Sequence, residues 1–227
     1  IVLVILESCT GHILDMPEVM PRLKALSEEG IYFPHFYANS FRTDRGLVSI
    51  LSGYPAQPTA SIMKSPSKSQ SLPAIARSLR KVGYDTEMIY GGDADFTNMR
   101  SYFYATGYGR VMSCDDFTTE ENSARWGVPD HITFPRVEKE IARQTARPFM
   151  KTFLTLSSHE PFDVPMSRLE HPYLNSVAYT DSCLGAFVDT LRQSPLWENL
   201  LIVFVADHTM RYPAGIQELS LIHISEP

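Results

Sequence analysis

The sequence predicts an α/β protein with a mostly parallel central sheet and helices on both faces, incomplete at both ends. Two observations carry the layout. Runs such as IVLVIL at 1–6 and LLIVFVA at 200–206 are apolar on both faces, as strands buried inside a parallel sheet must be. Between such runs lie segments of helical period that stop at glycines, so strand and helix alternate along the chain. A third observation points to function: the first and last of these runs end on Glu7 and on Asp207-His208.

In chain order, the first strand is expected at 1–6. A helix at 18–29 stops at Gly30, a strand at 31–37 follows, and a helix at 44–52 stops at Gly53. Residues 55–71, PAQPTASIMKSPSKSQS, are rich in Pro, Ser and Lys and read as a mobile surface loop that can line a cleft. In SLPAIARSLRKVGY, Ser71 suits a cap, Pro73 the first turn and Gly83 a left-handed stop, while Ile75, Leu79 and Val82 share a face. A strand at 86–90, helices at 97–106 and 130–146, a strand at 149–156, a helix at 175–193 and a strand at 200–206 complete the alternation. The domain is expected to span 1–213. The tail at 214–227, AGIQELSLIHISEP, has no place in this pattern and reads as foreign or truncated.

With 227 residues, 44% hydrophobic and 20% charged, the chain can build one sizeable core. A formal net charge of −6 offers no broad basic surface, so nucleic acid is not an expected partner. Three scattered cysteines form no CxxC pair and suggest neither a disulfide framework nor a cysteine zinc site. No run approaches the roughly 18 apolar residues that span a bilayer. The chain opens inside a strand, as expected of a piece of a longer protein.

In open α/β sheets, ligands bind beyond the carboxyl ends of the strands. Glu7, Asp207 and His208 stand there, as do Asp93 after TEMIYGG and His159 after FLTLSS. Two carboxylates and an imidazole suit Mn2+, Mg2+ or Zn2+. Taken singly, Glu7 or Asp93 is more often a helix cap or a solvated loop acid, and His159 an ordinary loop histidine. The Asp207-His208 pair, at the end of so apolar a strand, is harder to read that way. A second cluster lies in NSFRTDRGLVSILSG, where a helix begins near Thr43. Its N-terminal amides, with Arg42 and Arg45, form an anion site, and Thr43 offers a hydroxyl nucleophile. Taken alone, this stretch reads equally well as a capped helix with two solvated arginines. Together the clusters make chemical sense, because a metal at Glu7, Asp207 and His208 would stabilise the threonine alkoxide.

At these residues the sequence resembles the alkaline phosphatase/sulfatase superfamily, and within it the lipoteichoic acid synthase-type membrane phosphotransferases. The matching stretches are IVLVILES, MPRLKALSEEGIYFPHFYANSFRTDRGLVSILSGYP, GGDADFTNMRSYFYATGY, LTLSSHEPF and LLIVFVADH, in the family's order. The resemblance implies a nucleophilic Thr43, a metal site of Glu7, Thr43, Asp207 and His208, and one divalent cation, typically Mn2+. It implies substrate contacts from His159 and from Asn98. It further implies transfer of a phospho-head group from a phospholipid to an envelope glycolipid or glycan hydroxyl through a phosphothreonine. The expected parent is membrane-anchored with its catalytic domain outside the cytoplasm. Where the glycerol phosphate polymerases of this family carry Trp-Asn-Arg, this chain has Thr97, Asn98 and Met99, and Thr209 replaces the usual glycine after Asp-His. The donated head group therefore stays open. So do two other readings: a metal-dependent phosphodiesterase or sulfatase-like hydrolase, and a non-catalytic binding domain of the same fold.

Overall fold

The computed structural model describes residues 1–143 and 147–210. Its five strands are β1 (Val2–Leu6), β2 (Asp85–Tyr90), β3 (Arg110–Met112), β4 (Phe149–Leu154) and β5 (Ile202–Ala206), all parallel, in the order β3-β2-β4-β1-β5. The helices are α1 (Pro21–Glu29), α2 (Thr43–Ser52), α3 (Pro66–Ser69), α4 (Ile75–Lys81), α5 (Met99–Thr106), α6 (Asp130–Ala142) and α7 (Pro172–Arg192).

Alternation along the strands divides the core into two layers. Val2, Val4 and Leu6, with Ile89 and Phe153, pack against α1, α6 and α7. Leu3 and Ile5, with Met88 and Leu154, pack against α2, α4 and α5. Both faces of the central strands are thus buried, which is why their sequences carry no polar alternation. In the first layer the rings of Phe134, Phe153 and Phe187 meet at centroid distances of 4.8 and 5.2 Å.

Several expectations are corrected. Residues 31–37 form no strand. They run along the surface between α1 and α2, with Ile31 85% exposed and Phe33, Phe36 and Tyr37 also outside. Pro34 interrupts the run, and no strand lies beside it among the described residues to complete a ladder. Strand β3 was not expected, because three residues carry too little periodicity to read. Ser71 does not cap α4: Ala74 occupies that position, and the Ser71 hydroxyl donates to Lys68 O instead. The stretch at 55–71 is more ordered than a loop, with a 3₁₀ turn at Ile62–Lys64, helix α3, and buried Ser61, Met63 and Ser69. Gly53 and Gly107 do end their helices in the left-handed region. The end of the 130–146 helix and the tail at 214–227 lie outside the described residues.

Candidate active site

The strand register assembles the site. Leu6 pairs with Ala206 across β1 and β5, so the next residues, Glu7 and Asp207, emerge side by side at the carboxyl end of the sheet. From the other neighbour of β1, the strand β4, Thr155 follows and its Oγ1 accepts from Glu7 N (2.9 Å). A little further along, the Ser158 hydroxyl donates to Glu7 O (2.6 Å).

Thr43 enters from the first turn of α2, where Arg42 stands at the N-cap. Gly46, one turn on, makes this approach possible. A β-carbon there would sit 2.2 Å from Asp207 O, so only glycine lets α2 lie against the end of β5. The Thr43 hydroxyl donates to Glu7 Oε2 (3.2 Å), and its oxygen lies 3.3 Å from His208 Nε2. His208 Nε2 is also 3.4 Å from Glu7 Oε1 and 3.6 Å from Asp207 Oδ2. His208 Nδ1 donates to the Thr209 carbonyl (3.0 Å), which leaves Nε2 as the ring's ligand atom.

These groups are out of water. Glu7 is 2% and Asp207 1% exposed. Burial raises the Asp207 carboxyl well above its ordinary range, and the neighbouring Glu7 charge adds to the effect. Burial pushes Glu7 the same way, but hydrogen bonding and charge from His208 outweigh it and hold its carboxyl at about 2. Burial acts to lower the His208 pKa, yet Glu7 and Asp207 raise it to about 9. Asp207 Oδ2 is buried without a hydrogen-bond partner.

One ligand atom each from Glu7, Asp207 and His208 lies within 4.8 Å of the others. The Thr43 oxygen closes the fourth side. Two buried carboxylates with a single imidazole, one oxygen without a partner, and a hydroxyl at the open edge fit a divalent cation. Thr43, Glu7, Asp207 and His208 would hold it.

The remaining sequence candidates lie around this group. His159 follows β4 on the same side of the sheet as Glu7. Its Nδ1 donates to Glu160 O (2.8 Å) and its ring packs against Trp126 at 5.2 Å. Among the described residues, no hydrogen bond or ion pair joins Arg42, Arg45 or Asn98 to the four. Arg42 is half exposed, with Nε 3.6 Å from Asp44 Oδ1. Arg45 donates to Pro58 O (2.8 Å) and lies over the Phe41 ring, holding the 55–71 stretch. Asn98 precedes α5 in a left-handed conformation and donates to Met63 O (3.4 Å). Asp93 accepts from Asp95 N, as a turn residue does. Sequence reasoning missed Ser8, which hydrogen-bonds both Glu7 and Asp207, and Trp126, which abuts His159. Adjacency to Glu7 was the one sign of Ser8; Trp126 gave none.

A family model described as Sulfatase matches residues 1–215, so the chain belongs to the sulfatase family. Within it the chain is a lipoteichoic acid synthase-like member of the alkaline phosphatase superfamily. It is 26% identical to the lipoteichoic acid synthase-like YvgJ of Bacillus subtilis, over 92% of this chain and 36% of that protein. A crystal structure of an alkaline phosphatase superfamily protein from Vibrio parahaemolyticus superposes with a TM-score of 0.83 and 29% identity, covering 92% of this chain and 54% of that one. The lipoteichoic acid synthase LtaP of Listeria monocytogenes shares the fold, with a TM-score of 0.82 at 21% identity, covering 96% of this chain and 59% of that one. The chain spans about a third of the length of the curated relatives it matches.

Proposed function

We propose that this chain is the catalytic portion of a cation-dependent phosphotransferase that moves a phospho-head group from a phospholipid to a glycolipid or glycan hydroxyl of the cell envelope. The observation that carries the reading is the Thr43 hydroxyl, 3.2 Å from Glu7 Oε2 and 3.3 Å from His208 Nε2 at a helix N-terminus. A hydroxyl with no such neighbours is a poor nucleophile. The likeness to the lipoteichoic acid synthase-like YvgJ supports the same class of reaction.

A bound divalent cation, Mn2+ with Mg2+ and Zn2+ as alternatives, would supply Lewis-acid stabilisation of the alkoxide and of the phosphoryl oxygens. The chain's own residues do the rest. Thr43 Oγ attacks the donor phosphorus, the bond from phosphorus to the lipid oxygen breaks, and the threonine's proton leaves on the lipid alcohol. The product is a phosphothreonine bearing the head group. The first-turn amides of α2 and the guanidinium of Arg42 face the phosphoryl oxygens, where a helix N-terminus favours negative charge. His159, its Nδ1 fixed by Glu160 O, offers Nε2 to the substrate. In the second half, the acceptor hydroxyl attacks the same phosphorus, its proton returns to Thr43, and the head group leaves on the acceptor. Arg45 and Asn98 shape the rim of the donor site through the segments they hold.

In this reading the parent protein is anchored in the cell membrane with this domain outside the cytoplasm. No helix among the described residues is long and apolar enough to cross a membrane, so an anchor would lie elsewhere in the parent.

The test is incubation of the parent protein with head-group-labelled phospholipid and Mn2+, with and without a glycolipid acceptor. Mass spectrometry of the peptide containing Thr43 completes it. Label on the acceptor and a head-group adduct on Thr43 are expected. Label released only as water-soluble head group would replace the transferase with a hydrolase, and an unmodified Thr43 with undiminished turnover would remove the covalent step.

A further inference from the structure

Between the two carboxylates stands Ser8, which the chemistry above does not use. It is buried and has φ 52°, a left-handed conformation rare outside glycine. In this conformation both of its donors point at the site. Its backbone N–H donates to Asp207 Oδ1 (2.9 Å), and its hydroxyl donates to Glu7 Oε1 (2.7 Å). From α7 the Tyr173 hydroxyl donates to Ser8 O (2.8 Å) and pins the turn.

One residue therefore engages one oxygen of each carboxylate, one from β1 and one from β5. The oxygens left over are Glu7 Oε2, which accepts from Thr43, and Asp207 Oδ2, which is buried, makes no hydrogen bond and has His208 Nε2 3.6 Å away. The geometry points to Ser8 as the positioning residue of the cation site: by engaging one oxygen of each carboxylate it leaves Glu7 Oε2 to the Thr43 hydroxyl and Asp207 Oδ2 on the side of His208 Nε2, 3.6 Å away, and it holds the two carboxylates at fixed separation. The φ of 52° sets the direction of the Ser8 side chain and carbonyl relative to its N–H, so that the N–H meets Asp207 while the hydroxyl meets Glu7 and the carbonyl meets Tyr173. Outer hydrogen bonds of this kind fix ligand orientation and strengthen cation binding.

This rests on the cation reading of the site, and direct binding separates the two. Mn2+ affinity is measured by calorimetry on the full chain and on Ser8→Ala and Ser8→Gly. Ser8→Ala keeps the β-carbon and loses the hydroxyl; Ser8→Gly also loses the hydroxyl but relieves the left-handed backbone. Both are expected to bind Mn2+ about 10–100-fold more weakly, and turnover of Ser8→Gly is expected to recover at saturating Mn2+ with an unchanged donor KM. Ser8→Gly is expected to melt no lower than wild type without cation, so a failure of Ser8→Ala to fold leaves the question answerable. Wild-type Mn2+ affinity in Ser8→Gly would overturn the role of Ser8. No Mn2+ binding by the unmodified chain would instead overturn the cation site.

Discussion

Two clusters of buried charge sit at opposite ends of the same sheet, and their sign patterns differ. At the carboxyl ends of β1 and β5, two carboxylates and one imidazole crowd together, with Asp207 Oδ2 making no hydrogen bond. Toward the other end, Arg110, Glu87 and Lys151 lie in one register row across β3, β2 and β4. There the signs alternate. Lys151 Nζ is 2.6 Å from Glu87, and Arg110 is 3.0 Å from Glu87 and 3.1 Å from Glu140 of α6. Arg136 and Arg143 complete the pairing of Glu140. The second cluster is balanced in charge by itself: each buried acid has a guanidinium or ammonium within 3.1 Å, Glu87 Oε1 included, although that oxygen makes no hydrogen bond. The first raises the Asp207 pKa through burial and Glu7, the mark of a site to be finished by something positive.

The comparison breaks most readily at Thr43, the proposed nucleophile. Thr43→Ala removes the reacting oxygen while leaving α2 in place, and head-group transfer is expected to fall at least about 1,000-fold with little change in melting temperature. Lys151→Met, at the other cluster, is expected to leave turnover per folded molecule unchanged. Loss of turnover in a well-folded Lys151→Met would show that the two ends are not separate in function.

Stability should respond with opposite signs. Lys151 and Glu87 side chains are 6% and 5% exposed, so removing the lysine leaves a buried carboxylate with only Arg110 to neutralise it. Lys151→Met is expected to destabilise the fold by about 3–5 kcal/mol in urea denaturation. Asp207→Asn in metal-free protein removes a charge that burial and Glu7 disfavour, and is expected to stabilise. A stability loss in Asp207→Asn without cation would mean that this cluster, too, is complete on its own.

What could be read from sequence follows the same division. The acids of the candidate site end apolar runs, so the strand runs placed Glu7, Asp207 and His208 at one sheet edge, and the β1–β5 register brings a ligand atom of each within 4.8 Å of the others. The helix expected from SFRTDRG to start near Thr43 or Asp44 starts at Thr43. The complete cluster was invisible. Lys151 sits within the apolar run FMKTFL, and its partner Glu87 comes from a strand 64 positions away, so only the pairing of β2 with β4 reveals them together. Ser8 was hidden for another reason: its role depends on a backbone dihedral, and a serine after a strand carries no sign of it. The aromatic run at 31–37 misled because β-propensity reports fit to a half-buried pleat, and no neighbouring strand supplies one.

Acidity sharpens the contrast. His208 has its pKa raised to about 9 by Glu7 and Asp207 against burial, so in metal-free protein its pairing stabilises fully below about pH 6.5 and is lost as pH rises through 9. Asp207, raised for its own reasons, acts in the same direction. A cation competes with the His208 proton, so its affinity is expected to rise about tenfold per pH unit, roughly 100-fold from pH 7 to 9. The two melting curves should diverge: with chelator the midpoint falls from pH 6.5 to 9, while the increment given by Mn2+ grows. An Mn2+ increment independent of pH would remove His208 from the ligand set.

The smallest effect tests whether alternating sign or burial sustains the complete cluster. Arg143 pairs with the same Glu140 that Arg110 and Arg136 contact, at 2.9 Å, but its own side chain is 57% exposed. Solvent screens such a contact, and Arg143→Ala leaves Glu140 two other guanidinium partners. The expected loss is at most about 0.5 kcal/mol in urea denaturation, several-fold below that for Lys151→Met. If Arg143→Ala cost as much as Lys151→Met, the network would behave as one cooperative unit, and burial of the individual pair would not be what sets its contribution.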